Sequence, residues 1–158
     1  MSAGKKNMLI LGIGNDILMD DGIGPALVME LGKKVHDQGI EFQTILEGGM
    51  ELPEIIRDYE QVIIIDAIKT GKGTPGSVLH FTPANFVETS HLSNVHDTSF
   101  LTSLKLGEQL GMKIPLQIDI IAVEIMEDRT FGTEFSPEIR NRFSEIFEQV
   151  LDIIKKLV

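Results

Sequence analysis

Val62, Ile63, Ile64 and Ile65 are four consecutive apolar, β-branched residues, and the run stops at Asp66. A strand with one face in water alternates apolar and polar residues, so an unbroken run predicts a strand covered on both faces, as in a parallel sheet flanked by helices. Such a strand is central in its sheet, and Asp66 then stands at its carboxyl end. A chain organised around it belongs to the α/β class.

A second apolar run, Met8–Leu11, reads as another buried strand, and Gly12, Gly14 and Asn15 tolerate the sharp turn that leaves it. The loop that follows carries adjacent acids, Asp20 and Asp21. It reaches Gly22, Gly24 and Pro25, where a helix can start with proline in its first turn. A handover from strand to helix is the usual place for a site in an α/β protein. Ile23, Leu27, Val28 and Leu31 recur at helical spacing and predict a helix over Gly24–Val35. Ile40–Leu46 then predicts a second strand, parallel to the first through a right-handed crossover.

Further along, Leu52, Ile55 and Ile56 mark a short helix starting near Pro53. The loop Lys69–Gly76, KTGKGTPG, leads into a strand at Ser77–Phe81. Only a loop joins this strand to the one ending at Asp66, so it is expected to run antiparallel to it and make the sheet mixed. Thr82–Val95 shows no sustained period and reads as loop with at most a turn of helix. Asp97, Thr98 or Ser99 can cap a helix carrying Phe100, Leu101, Leu104 and Leu110, with His96 just ahead of it. Leu116–Val123 is a further strand and Glu124–Phe135 a loop. Ser136 and Pro137 open a final helix with serine as its cap, and its apolar stripe runs from Ile139 through Phe143, Ile146, Phe147, Val150 and Leu151 to Ile154.

Composition removes several function classes. The 158 residues suit one domain, 1–158. A formal charge of −10 argues against nucleic acid, whose binding draws on neutralised phosphates. There is no cysteine, which excludes disulfides, thiolate nucleophiles and thiolate zinc sites and agrees with a reducing cytoplasm. The first apolar run breaks at Gly12 with no small-residue cleavage site after it, so it reads as a strand rather than a signal peptide. No apolar stretch approaches the roughly 20 residues of a membrane span.

Three residues stand out as chemistry. Asp21 follows the first strand, Asp66 ends the third and His96 precedes a helix. If the strand order is 2-1-3, a crevice opens at the carboxyl ends of strands one and three and both acids face it. Two carboxylates held close raise one pKa, and a cation between them removes that penalty. With an imidazole added, the mixed oxygen and nitrogen set suits Zn²⁺ or Ni²⁺ better than Mg²⁺ or Ca²⁺. Each residue also has a purely structural alternative. Asp20 or Asp21 can cap the following helix, Asp66 can bind loop amides, and His96 can be an ordinary surface histidine. His36, His80 and His91 have no acidic partner that this reading brings near them, and Glu124, Glu127 and Asp128 read as a solvated loop cluster. Gly12-Ile13-Gly14 is half of a dinucleotide fingerprint whose third glycine is replaced by Ile17; Glu47, at the end of strand two, keeps a Rossmann-type nucleotide-binding module as an alternative.

Taken together, GIGNDILMDDGIG, VIIIDA at Val62–Ala67, His96 before a helix and FSPE at Phe135–Glu138 resemble the hydrogenase maturation protease family, over nearly the whole chain. The resemblance implies a three-layer α/β/α sandwich with a mixed, mostly parallel five-stranded twisted sheet of the phosphorylase/hydrolase-like kind. It implies an aspartyl-type endopeptidase that removes the C-terminal extension of a [NiFe] hydrogenase large-subunit precursor once nickel is loaded. On this view the protein is a cytoplasmic monomer with no nucleic-acid or membrane partner. Asp21, Asp66 and His96 map onto the residues that carry catalysis and contact the nickel, which is delivered within the substrate; Zn or Cd can replace it in vitro. Asp20 is expected to orient the loop. Gly48 and Gly49 map onto the loop that shapes the peptide cleft. Here that loop reads Glu47-Gly48-Gly49-Met50-Glu51 instead of the family's Asp-Gly-Gly-Thr pattern, so substrate choice and cleavage position do not carry over. Whether a carboxylate or the nickel activates the attacking water stays open. A non-catalytic metallochaperone or docking protein would use the same three residues.

Overall fold

A computed structural model describes residues 7–46, 51–88 and 95–158, with side chains throughout these except at 86–88 and 95–101. The elements are β1 (Met8–Ile13), α1 (Ile23–Lys34), β2 (Ile40–Ile45), α2 (Leu52–Ile56), β3 (Gln61–Ile68), β4 (Val78–Phe81), α3 (Pro83–Glu88), α4 (Val95–Gln109), β5 (Gln117–Glu124), α5 (Pro137–Arg140) and α6 (Phe143–Leu157). The strands form one mixed sheet in the order β2-β1-β3-β5-β4. β3 lies at its centre, parallel to β1 on one side and to β5 on the other.

Alternation along the central strands divides the core into two layers. Met8 and Ile10 of β1 and Ile63 and Ile65 of β3 pack with Leu27 and Leu31 of α1 and with Ile146, Val150 and Ile154 of α6. Leu9, Leu11, Val62 and Ile64 face the other way, against Leu52 and Ile56 of α2 and Leu104 of α4. Helices on both faces are what the unbroken run at 62–65 requires, and α6 buries the stripe expected of it.

The structure departs from the sequence reading at four places. β3 does not stop at Asp66 but continues to Ile68, because Ala67 and Ile68 are buried and paired with Val123 and Glu124 of β5. β4 does run antiparallel, yet its neighbour is β5. β5 is eight residues long and almost wholly buried, so it takes the interior place beside β3, while the short, half-exposed β4 suits an edge. The last helix is two helices, and Ser136 makes no side-chain cap on α5, because its hydroxyl is engaged by Asp20. α4 starts at Val95, which places His96 in its first turn instead of ahead of it.

Candidate active site

β1 ends at Ile13, and the chain turns back at once. A Cβ on Gly14 would lie 2.0 Å from the carbonyl oxygen of Asp21, so only glycine lets the loop close on itself there. The loop finishes in a single 3-10 turn, Met19–Gly22. Met19 has φ 49°, a left-handed conformation that costs a side-chain-bearing residue about 1–2 kcal/mol. Backbone hydrogen bonds offset this: the Met19 amide donates to the Gly132 carbonyl at 3.0 Å and the Asp20 amide to the Glu127 carbonyl at 2.9 Å.

The two adjacent acids behave differently. Asp20 is completely buried. Its carboxylate accepts from the Ser136 amide and hydroxyl, both at 2.7 Å, from the Glu127 amide at 2.9 Å and from the Met126 amide at 3.1 Å. Burying a carboxylate is costly unless its lone pairs are satisfied, and four donors do that here without an ion pair among the described residues. Asp20 therefore fastens the first loop to the segment between β5 and α5. Asp21 is only half-buried, and its Oδ2 accepts the Asn15 amide at 2.9 Å. Neither acid caps α1, whose N-cap is Gly22 with no side-chain bond. The capping alternative is thus set aside.

Asp66 is half-buried and accepts the amide of Ala67 at 2.8 Å. In the parallel pairing of β1 with β3 it is level with Ile13, the residue from which the Asp21 loop departs. The first turn of α1 seals this edge. A Cβ on Gly24 would meet the Ile65 carbonyl oxygen at 2.5 Å and the Ile13 carbonyl oxygen at 2.6 Å. Asp21 and Asp66 are thereby carried to the carboxyl ends of two adjacent central strands, the 2-1-3 arrangement assumed from sequence. Each has one oxygen held by a backbone amide, which fixes the plane of the carboxylate as an ion-binding or proton-accepting group requires. These oxygen donors fit a divalent cation. Among the described residues no three His, Asp or Glu side chains cluster as metal ligands, so a three-donor set built on Asp21 and Asp66 needs a group from outside them. The backbone of His96 lies in the first turn of α4, and its side chain is outside the description. Glu47, Gly48, Gly49 and His91 also lie outside the described residues.

The segment after β5 completes this edge of the sheet. Lys69, just past β3, binds Asp128 at 3.2 Å. Glu127 accepts the amides of Arg129 at 2.8 Å and Thr130 at 3.2 Å. The Arg129 amide bond, helped by the Thr130 amide and by Lys69, holds this carboxyl below the usual glutamate range. Glu124 is not the solvated residue that sequence suggested. It is buried and takes the amides of Thr70 at 2.9 Å and Gly73 at 3.1 Å together with the Thr70 hydroxyl, which fixes the loop after β3. His80 likewise has an acidic partner: its Nε2 lies 2.8 Å from Oδ1 of the buried Asp119. His36 is exposed.

Comparison with known proteins gives one consistent result. The family model described as HycI, hydrogenase maturation protease, matches residues 25–153, a span that includes Asp66 and His96 and begins just after Asp21. The hydrogenase expression/formation protein HupD of Thiocapsa roseopersicina is 28% identical over 153 residues, covering 93% of this chain and 67% of that protein. The hydrogenase 2 maturation protease of Escherichia coli K12 is 26% identical over 156 residues, covering 94% and 91%. Among solved structures, the hydrogenase maturating endopeptidase HybD from E. coli superposes with a TM-score of 0.76 at 24% identity, over 95% of this chain and 93% of that one. The [NiFe] hydrogenase maturation protease HybD from Thermococcus kodakarensis does so with a TM-score of 0.69 at 26% identity, over 93% and 98%.

Proposed function

The chain belongs to the hydrogenase maturation protease family and is a peptidase of hydrogenase maturation; on that premise we propose that it removes the C-terminal extension of a [NiFe] hydrogenase large-subunit precursor after nickel insertion. It does so in the cytoplasm as a monomer. Among the described residues no helix is long and apolar enough to cross a membrane. The observation that carries the reading is the position of Asp21 and Asp66 at the carboxyl ends of adjacent strands β1 and β3, each oriented by a backbone amide.

Nickel is part of the substrate in this reading. Asp21, Asp66 and His96 contact the nickel carried by the precursor, and that contact seats the C-terminal segment for cleavage. A precursor without nickel lacks the contact and stays uncut. Asp21 and Asp66 are the groups of the site able to accept a proton from an attacking water. Asp20 takes no direct part; it sets the loop on which Asp21 rides. Gly48 and Gly49, which lie outside the described residues, are assigned to substrate binding on the family resemblance alone.

The test is mass spectrometry of a purified, nickel-loaded precursor after incubation with the protein. Loss of the C-terminal segment is expected with the wild-type chain, and no loss with Asp21→Ala or His96→Ala. Normal cleavage by either variant overturns the assignment of the site, and a wild-type chain that binds the precursor but leaves its tail in place is a docking protein instead. Calorimetric titration with Ni²⁺ or Cd²⁺ adds a second readout: a site present in the protein alone gives one binding event, absent in Asp66→Ala.

A further inference from the structure

The segment between β5 and α5 does more than close the edge of the sheet. Leu18 and Gly132 form a short parallel bridge. The Gly132 amide donates to the Ile17 carbonyl at 2.9 Å, and the Met19 amide donates to the Gly132 carbonyl at 3.0 Å. This register sets Ile17 alongside Phe131. Met126, whose amide is held by Asp20, belongs to the same segment. All three are large apolar residues left in water: Ile17 is 48% exposed, Met126 49% and Phe131 79%.

Apolar side chains exposed together and rimmed by polar groups mark an interaction surface. Here the surface is already ordered by the bridge and by the buried carboxylate of Asp20, so an incoming chain meets it without the entropic cost of organising a loop. Its place is specific. Ile17 precedes Asp21 in one loop, and the other loop reaches the end of β3 through Asp128 and Lys69. The surrounding charge is acidic on balance: Asp16, Asp21, Glu127 and Asp128 outnumber Lys69, which is paired with Asp128, and Arg129. An apolar residue flanked by basic or neutral ones complements that setting, and an acidic segment is repelled by it.

We infer that Ile17, Met126 and Phe131 form a preformed apolar lip that receives a hydrophobic side chain of the precursor's segment as it enters the site, and so determine which sequence is accepted. This deepens the proposed function and rests on it, because the occupant is the precursor polypeptide.

The experiment compares the wild-type chain, the Ile17→Ala/Phe131→Ala double variant and Leu116→Ala. Leu116 is fully exposed at the opposite end of the sheet and serves as the control for general surface hydrophobicity. Equilibrium binding of the nickel-loaded precursor and its processing kinetics are both measured, with urea midpoints to verify folding. The double variant should weaken binding and raise KM by about tenfold or more, from lost apolar burial, with kcat within a few-fold of wild type. Leu116→Ala should change neither. Unaltered Kd and KM in the double variant, or an equal loss in Leu116→Ala, overturns the lip. If the wild-type chain binds the precursor but does not cut it, the protease reading fails while the binding comparison still decides the lip. If it neither binds nor cuts, both fail.

Discussion

The two ends of the sheet use their polar residues in different ways. At the amino end, side chains are matched with side chains: buried Asp119 with His80 at 2.8 Å and Gln117 at 3.3 Å, and the hydroxyl of Tyr59 with Glu41 and with Gln43 at 3.2 Å. At the carboxyl end, backbone amides predominate among the described partners of the acids: Asn15 for Asp21, Ala67 for Asp66, and Met126, Glu127 and Ser136 for Asp20, with side chains joining them only at the Ser136 hydroxyl on Asp20, the Thr70 hydroxyl on Glu124 and Lys69 on Asp128. A side-chain pair at the amino end fastens one strand or loop to its neighbour. A backbone amide orients a carboxylate through a dipole rather than through a full opposite charge. The difference is between side chains that tie neighbouring elements together and acids oriented by the main chain at the edge where the proposed site lies.

The strongest way to break this contrast is to remove an acid from each end. Asp66→Ala should lower processing of the nickel-loaded precursor by about 10²–10⁴-fold, the range of a lost acid–base group, while Asp119→Asn should leave it within a few-fold. Equal losses in the two variants, measured as initial rates of tail removal, would erase the distinction. Next in size is Asp20→Ala. It strands the buried amide of Ser136 and frees the segment after β5, and leaving even one such donor unsatisfied costs about 1–3 kcal/mol; the variant should unfold at visibly lower urea. Gly24→Ala sharpens the comparison from the backbone side. Its methyl group would sit 2.5 Å from a carbonyl oxygen of β3, and overpacking of that kind costs about 1–3 kcal/mol, read as a fall in the urea midpoint.

The smallest effect belongs to the amino end and is spectroscopically clean. Tyr59 is the only tyrosine and there is no tryptophan, so ultraviolet absorbance follows this one phenol. Burial, and then the hydrogen bond to Glu41, push its pKa from 10.0 up to about 12. The fold favours the neutral phenol. The stability linked to it is full below pH 10.0 and is lost as pH rises from there through about 12. Alkaline titration of the native protein should show the raised midpoint, and Glu41→Gln should bring it down. A native midpoint at 10.0 would contradict the packing of this end.

Much of the fold was legible because its signals are local. The run at 62–65 marked the central strand, the pattern around Gly12–Pro25 marked a strand turning into a helix, and the stripe from Ile146 to Ile154 marked the packing face of α6. Position at strand ends and ahead of a helix singled out Asp21, Asp66 and His96, and motif resemblance then gave them roles. The register of β1 and β3 brings the two acids to one edge, while the side chain of His96 lies outside the described residues. Resemblance assigned Asp20 to orienting the loop and Asp21 to the nickel, but nothing local distinguishes them, since two neighbouring aspartates carry the same local signal. Burial separated them, through partners such as Ser136, 116 residues away.

What the sequence determined by itself is therefore periodic and short-range: which segments are strands or helices, which faces are apolar, and that acids stand where strands end. Tertiary structure alone decided that β5 takes the place beside β3 and sends β4 to the edge, and that Glu124 turns inward to hold the loop after β3. It also decided that Asp119 pairs with His80, and that the loop of Leu18 is bridged to the distant loop of Gly132, which brings Ile17 level with Phe131. The physical reason is one of range. Periodicity and turn chemistry act within a few residues, whereas a hydrogen bond or a strand pairing across the chain depends on which buried surfaces compete for the same neighbour, and only the folded chain settles that competition.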